Sequence, residues 1–424
     1  MTTTDQLSPP TDLVTKLLNI MEGLYHLKDL DTLLDQVLLQ ARRLTNADAG
    51  SVYTLENQLL RFSYIHNDSL FSPESSSKYL FSNHTLPIDD QSLAGYVALT
   101  GESLIIEDAY QLPPALPFTF NKSFDEQSGY RTQTIIAVPL RTSRRKIVGV
   151  LQLINALGES GEVVSFTGQD QLILNYFADN AGAAIERARL TREVILRMVK
   201  MAELRDPEET GPHVNRVGAY AAEIYDRWAR NRGLPLEEIR ITKDLLRIAA
   251  MLHDVGKIAI SDLILKKPAG LDAAEFNIMK LHTILGARLF QNAESELDTL
   301  SGEIALNHHE KWDGRGYPGR IADISDPQVS LGPGKRRDEI PLAARIVAVA
   351  DVYDALGSKR SYKEPLPEEQ TLKIIREESG RQFDPEVVQA FLEVHDTIAA
   401  IKEKYQEDPT CCSWGSPNKA LSAS

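Results

Sequence analysis

The chain has 424 residues, a formal net charge of −14, 42% hydrophobic residues and 25% charged residues. That length and balance imply two or three soluble domains, each able to bury its own core, while the negative charge argues against a general affinity for a nucleic-acid polymer or an anionic membrane. A small anionic substrate stays open, because metal ions and a few local cations reverse the sign of the potential inside a pocket. Residues 1–12 are polar, read as disordered, and lack the apolar core of a signal peptide. Helical spacing begins at Leu13, Leu17, Ile20 and Leu24 and resumes from Leu30 to Leu44, with Asp29 or Asp31 as a cap. Five strand-like runs follow at 49–55, 59–65, 103–107, 134–139 and 146–155, with a helical turn at 92–99 between them. This pattern reads as an α+β domain built on one antiparallel sheet.

Residues 171–204 read as one long connecting helix. Its apolar or small positions Leu174, Phe177, Ala181, Ala184, Ala188, Thr191, Ile195, Met198 and Ala202 alternate steps of three and four. That is either the seam of a two-stranded coiled coil, from which a homodimer is expected, or the stripe of a helix that simply packs on both domains. Beyond the break RDPEETGPH the pattern is helical, at 217–228, 239–253, 273–289, 297–308, 342–355 and 367–379. Two irregular stretches, 313–340 and 359–367, interrupt it. Residues 404–424 read as a disordered tail, and Cys411 and Cys412 lie in it side by side, too few for a disulfide framework. No apolar run approaches the roughly 20 residues that span a bilayer, so a cytoplasmic protein with no membrane contact is expected.

Chemistry is concentrated between residues 209 and 351, where five of the nine histidines fall. His253–Asp254 closes one apolar helix and His308–His309 another, with His213, His282 and Asp351 in the same window. Imidazole with carboxylate is the ligand set for iron, manganese, zinc or nickel. Any one of these histidines alone reads as a satisfied core or surface residue. Together, at the ends of apolar helices, they would leave unsatisfied groups unless a metal is held. A carboxylate between imidazoles from several helices suits a two-metal clamp about 4 Å wide, a fitting arrangement for phosphodiester hydrolysis.

Two resemblances follow from particular segments. SLAGYVALTGESLIIEDAY (residues 92–110), FDEQSGYRTQTIIAVPL (124–140) and VGVLQLIN (148–155) resemble a GAF domain, over about residues 13–190. A GAF domain implies a sensor for an unknown small ligand, or a dimerisation module with none. The signature of the cyclic-nucleotide-binding subgroup reads here Asn155-Ala156, Phe166 and Asp170-Gln171, departing at its Lys and its Glu.

In the second half, HDVGK (253–257), HHEKWDGRGYP (308–318), ARIVAVADVYDALGSKRSYK (344–363) and FDPEVV (383–388) carry a resemblance to the HD-GYP phosphodiesterases of cyclic di-GMP signalling. It implies a multidomain chain: a GAF domain at 13–170, the connecting helix at 171–204 and an all-α HD-superfamily domain at 205–403. It implies metal ligation by His253, Asp254, His282, His308, His309 and Asp351, with Asp254 bridging. The segment Glu209-Thr210-Gly211-Pro212-His213 matches the third-metal segment of some members, which adds Glu209 and His213 and gives two or three divalent metals, iron or manganese. Asp254 and Lys257 are the implied catalytic groups, the ammonium binding a phosphate oxygen or protonating the leaving oxygen. Lys257, Tyr317, Arg360 and Lys363 are implied substrate contacts, and Asp354 an orienting carboxylate. The implied activity is hydrolysis of cyclic di-GMP to pGpG or GMP. Still open are a binding module that acts through protein contact, with a diguanylate cyclase domain as one partner, and a hydrolase of another cyclic dinucleotide. The 319–339 loop is longer than the family's connector, and its Lys335, Arg336 and Arg337 read either as a lid over substrate phosphates or as a solvated insertion.

Overall fold

The computed structural model describes residues 11–56, 58–70, 85–203, 211–292, 294–358 and 365–405. Two compact units divide the chain, residues 1–195 and 196–424, so the division falls inside the long helix. In the first unit, helices α1 (Thr11–His26) and α2 (Leu30–Thr45) precede strands β1 (Ala47–Glu56), β2 (Leu59–Asn67) and β3 (Thr85–Pro87). Then come α3 (Leu93–Thr100), β4 (Leu104–Ile106), α4 (Ser123–Ser128), β5 (Ile135–Arg141), β6 (Ile147–Leu157), β7 (Val163–Val164) and α5 (Gly168–Glu203). The sheet is antiparallel in the order β3-β2-β1-β6-β5-β4, with β7 on β6. Strands β3 and β7 have no counterpart in the sequence reading. Residues 11–12, expected to be disordered, form the start of α1, which corrects the expected N-terminal boundary; residues 1–10 and 406–424 lie outside the described residues.

Side-chain alternation along each strand sorts the sheet's two faces. Val52, Ile136, Val138, Leu151 and Leu153 pack with α2 and α5. Their neighbours Tyr53, Ala137 and Val150 pack on the other face with Ala94 and Val97 of α3. Caps fix the helix starts: the Asp29 side chain accepts from Thr32 N at 2.7 Å, and Ser92 Oγ accepts from Gly95 N at 3.1 Å. Asn155, the retained first position of the nucleotide-binding signature, is buried. Its Oδ1 accepts from Gln133 N (2.8 Å) and Thr134 N (3.1 Å), and its Nδ2 donates to Arg131 O (2.8 Å). It splices β6 to the segment leading into β5.

The stripe expected to form a coiled-coil seam has a different use over most of its length. Leu174, Phe177, Ala181, Ala184 and Ala188 of α5 belong to the first unit's own core, against α2 and the sheet. The small residues there reflect close packing, most tightly at Gly182, where an added Cβ would lie 2.0 Å from Arg141 O.

The second unit is helical: α6 (Gly211–Asn231), α7 (Leu236–Ala250), α8 (Asp262–Leu265), α9 (Ala273–Lys280), α10 (His282–Arg288), α11 (Glu296–Asn307), α12 (Leu342–Gly357), α13 (Glu368–Glu377), α14 (Pro385–Glu393) and α15 (His395–Lys404). Val255–Ala259 forms a 3₁₀ turn after α7. The single helix expected over 273–289 is two, parted at Leu281. The centre is aromatic: Tyr220 of α6 meets Tyr353 of α12 edge to face at 5.4 Å, and Tyr353 meets Phe391 of α14 at 5.0 Å.

Ala188 is fully buried in the first unit. Ala188→Leu should therefore overpack that core and lower the unit's stability by about 1–3 kcal/mol, read as a fall in its denaturant midpoint. A tighter dimer with an unchanged midpoint would instead restore the seam reading.

Candidate metal centre

Histidines placed where helices end meet a shortage of hydrogen bonds, because the last carbonyls of a helix have no partner within it. His253 follows α7, and its Nδ1 lies 2.8 Å from Ala250 O. His282 follows α9, its Nδ1 2.8 Å from Met279 O. His308 follows α11, its Nδ1 3.0 Å from Ile304 O and 3.1 Å from Ala305 O. A carbonyl only accepts, so each Nδ1 donates, and the ring atom turned inward is Nε2. His213, in the first turn of α6, is held the same way by a carboxylate, its Nδ1 2.8 Å from Asp354 Oδ2.

These rings converge with three carboxylate oxygens. Asp254, His282, His308 and His309 bring one ligand atom each to within 4.8 Å of one another, and so do His213, His253 and Asp351. Asp254 stands between the two groups. Its Oδ1 lies 3.1 Å from His282 Nε2 and 3.3 Å from His308 Nε2, and its Oδ2 lies 3.5 Å from His253 Nε2. Burial alone would raise the Asp254 carboxyl, yet the Lys257 ammonium leads the interactions that hold it well below the ordinary carboxylate range. Burial, reinforced by His308 and His282, pushes His309 well below the ordinary imidazole value, so its ring is neutral.

The donor set fits divalent metals on one observation in particular. Nε2 of His253, His282 and His308 and Oδ1 of Asp254 are buried and make no hydrogen bond. Lone pairs aimed at one another without a proton between them are unfavourable in a low-dielectric interior. A cation is the partner that satisfies all of them.

A second layer, which the sequence reading had reduced to Asp354, sits behind His213. Arg216 Nε and Nη2 donate to Asp354 at 2.6 and 2.8 Å. The same guanidinium donates to Tyr405 O (2.9 Å) and Ser358 Oγ (3.2 Å), tying α6 to α12 and to the end of α15. Burial opposes ionisation of Asp354, but the hydrogen bonds from Arg216 and His213 prevail and keep it far below its ordinary value. A legible signal for Arg216 existed: it lies three residues after His213, on the same helix face. Asp354 is in turn three residues from Asp351, so one face of α12 supplies both carboxylates.

At the rim, Lys257 Nζ lies 2.8 Å from Asp254 Oδ2. The turn that carries it is pressed onto α10 at Gly256, where a Cβ would fall 2.0 Å from His282 O. Tyr317 covers His309, ring centroids 4.9 Å apart. Glu310 anchors the long loop, Oε1 accepting from Gly319 N (2.5 Å) and Oε2 from Lys335 N (3.1 Å). Lys335 Nζ donates to Asn307 Oδ1 at 2.6 Å, and Arg288 and Gln291 bind the loop at Ile324, Ser325 and Asp326. Lys335 thus braces the loop against α11. Glu209, Arg360 and Lys363 lie outside the described residues.

Comparison with known families agrees with this architecture. The profile described as GAF domain matches residues 29–185, and profiles described as HD domain match residues 210–356 and 332–387. The chain joins a GAF domain to an HD domain. Over 223 residues it is 38% identical to a protein named cyclic di-GMP phosphodiesterase from Thermotoga maritima, covering 53% of this chain and 54% of that one. Over 240 residues it is 38% identical to 3′3′-cGAMP-specific phosphodiesterase 2 from Vibrio cholerae, covering 55% of this chain and 42% of the relative. A protein named cyclic di-GMP phosphodiesterase from the same species is 37% identical over 249 residues, 57% of this chain and 47% of that one. The chain therefore spans about half the length of these relatives. Among the described residues no helix is long and apolar enough to cross a membrane.

Truncation of Arg216 tests the layer behind the HD domain's imidazoles. Arg216→Ala strands a buried carboxylate and should destabilise the HD domain by roughly 3–5 kcal/mol, seen as an earlier unfolding transition of that domain while the GAF transition stays in place.

Proposed function

We propose that the chain is a metal-dependent phosphodiesterase that hydrolyses cyclic di-GMP to pGpG or GMP, with its GAF domain as the regulatory sensor. The observation that carries this reading is a pair of imidazole–carboxylate groups, one containing Asp254 with its Oδ2 3.5 Å from His253 Nε2 of the other, and an ammonium 2.8 Å from that same carboxylate. The relatives named as phosphodiesterases of cyclic dinucleotides supply the substrate class.

His282, His308, His309 and Asp254 would hold one metal and His213, His253, Asp351 and the second oxygen of Asp254 another, iron or manganese, with Glu209 available for a third. Bound divalent metals supply Lewis acidity, making water a nucleophile near neutral pH and neutralising charge on phosphoryl oxygens. The protein's own groups do the rest. Backbone carbonyls and Asp354 fix the imidazole tautomers, and Arg216 fixes Asp354. Lys257 stands where an ammonium donates to a phosphoryl oxygen or passes a proton to the departing 3′ oxygen as the P–O bond breaks and the water oxygen bonds to phosphorus. Tyr317 closes one side of the approach. Arg360 and Lys363 are the proposed cationic holds for the phosphates, Arg360 through its forked donors.

A second reading keeps the site and changes the base: hydrolysis of 3′3′-cGAMP, favoured by the identity with a relative named for that activity. Protein loaded anaerobically with Fe(II) or Mn(II) and offered each dinucleotide separates the two. Turnover of cyclic di-GMP is expected, and its absence with every metal would refute the primary reading. His308→Ala should abolish turnover and lower the metal content found by elemental analysis. Arg360→Ala should raise KM mainly.

A further inference from the structure

Helix α9 buries none of its eight residues, yet it presents a phenylalanine. Phe276 is 44% exposed, although a ring of that size is ordinarily removed from water. Its surroundings are specific. The Phe276 ring meets Tyr317 edge to face, centroids 6.2 Å apart, and Tyr317 lies over His309 of the candidate metal centre. Three rings thus run from an imidazole of the cluster to solvent. Lys280, one turn after Phe276, brings its Nζ 4.7 Å from the Phe276 centroid and 5.6 Å from that of Tyr317. An ammonium has three donors, and Asn277 Oδ1 takes one at 3.1 Å.

The group is rigidly tied to the centre. Helix α9 passes through Leu281 straight into His282. Its start is fixed by a capping box: Asp272 accepts from Ala274 N and Glu275 N, and Glu275 accepts from Asp272 N. A shift of Phe276 would therefore move His282 as well.

We propose that Phe276 and Lys280 form the seat for a guanine base, and so set which cyclic dinucleotide the HD domain prefers. This rests on the phosphodiesterase reading above and deepens it. A phosphate held at the imidazoles leaves a flanking purine outside them, and an open aromatic face stacks any base. Guanine offers N7 and O6 as adjacent acceptors, whereas adenine puts an N6 donor beside its N7. The Lys280 ammonium lies over the Phe276 ring, so a base stacking there displaces it to the base's edge, where an ammonium matches the first pattern and opposes half of the second.

The test compares the full-length, metal-loaded wild type with Phe276→Ala, Phe276→Tyr and Lys280→Met, using cyclic di-GMP and cyclic di-AMP as substrates and in equilibrium binding. Wild type should favour cyclic di-GMP. Phe276→Ala should raise KM and Kd for both dinucleotides about tenfold, as expected for loss of one stacking partner, and Phe276→Tyr should restore them. Lys280→Met should reduce the preference for guanine about tenfold, the scale of a specific base-edge contact. Metal content should match wild type in all three variants, which separates a seat from a disturbed cluster. Wild-type turnover of cyclic di-GMP with KM, Kd and preference unchanged in Phe276→Ala and Lys280→Met overturns the seat while sparing the phosphodiesterase reading. If wild type hydrolyses neither substrate, that reading fails, and binding decides the seat: cyclic di-GMP affinity lost in Phe276→Ala sustains it, and no affinity in wild type sinks it.

Discussion

Three helix C-termini end at one place, and each hands a spare carbonyl to a histidine. Ala250 O, Met279 O and the pair Ile304 O and Ala305 O take the Nδ1 protons of His253, His282 and His308. This single arrangement settles the tautomer, the ring orientation and the direction of each Nε2 lone pair. It also gathers the negative ends of three helix dipoles around the cluster, which favours positive charge there. Asp254 bears directly on both groups, and the nearby Lys257 ammonium leads the interactions that keep it ionised against its burial. Such a constellation is poor in the absence of a cation and good in its presence, which makes it a place for chemistry rather than a source of stability.

Behind the cluster the order is electrostatic and fully paired. Arg216 spans Asp354, Ser358 and the carbonyl of Tyr405. A guanidinium whose fork meets a carboxylate through two donors tolerates burial better than a point charge would. Its reach to α15 means that the last described turn of the chain helps fix a histidine near the start of the HD domain, nearly 200 residues earlier in sequence, as the Arg216–Tyr405 separation of 189 residues records. Arg247 reinforces the same end by donating to the Tyr405 hydroxyl at 3.2 Å.

The GAF domain follows a different logic, in which one helix closes the core. The positions of α5 that carry a step of three and four residues face the sheet and α2 up to Ala188. A seam for a partner helix and a stripe for a domain's own sheet have almost the same spacing. Period alone therefore does not distinguish them. Small residues tip the balance here, since Gly182 and its alanine neighbours admit a strand end at backbone distance.

The sequence by itself determined the order of the domains, five of the seven described strands, most helices and the residue types of the centre. Those features are local: alternation, helical period, caps and short strings such as HDVGK and HHEKWDGRGYP are written within a few residues of one another. Tertiary structure decided what depends on distant residues meeting. It split 273–289 at Leu281, turned the α5 stripe inward, and grouped His213 with His253 and Asp351 rather than leaving it apart. It also revealed Arg216 behind Asp354 and the exposed corner of Phe276, Lys280 and Tyr317. Apart from the three-residue step from His213 to Arg216, none of these is legible in spacing, because each depends on how elements approach one another, which is set by packing, and packing is a property of the whole fold.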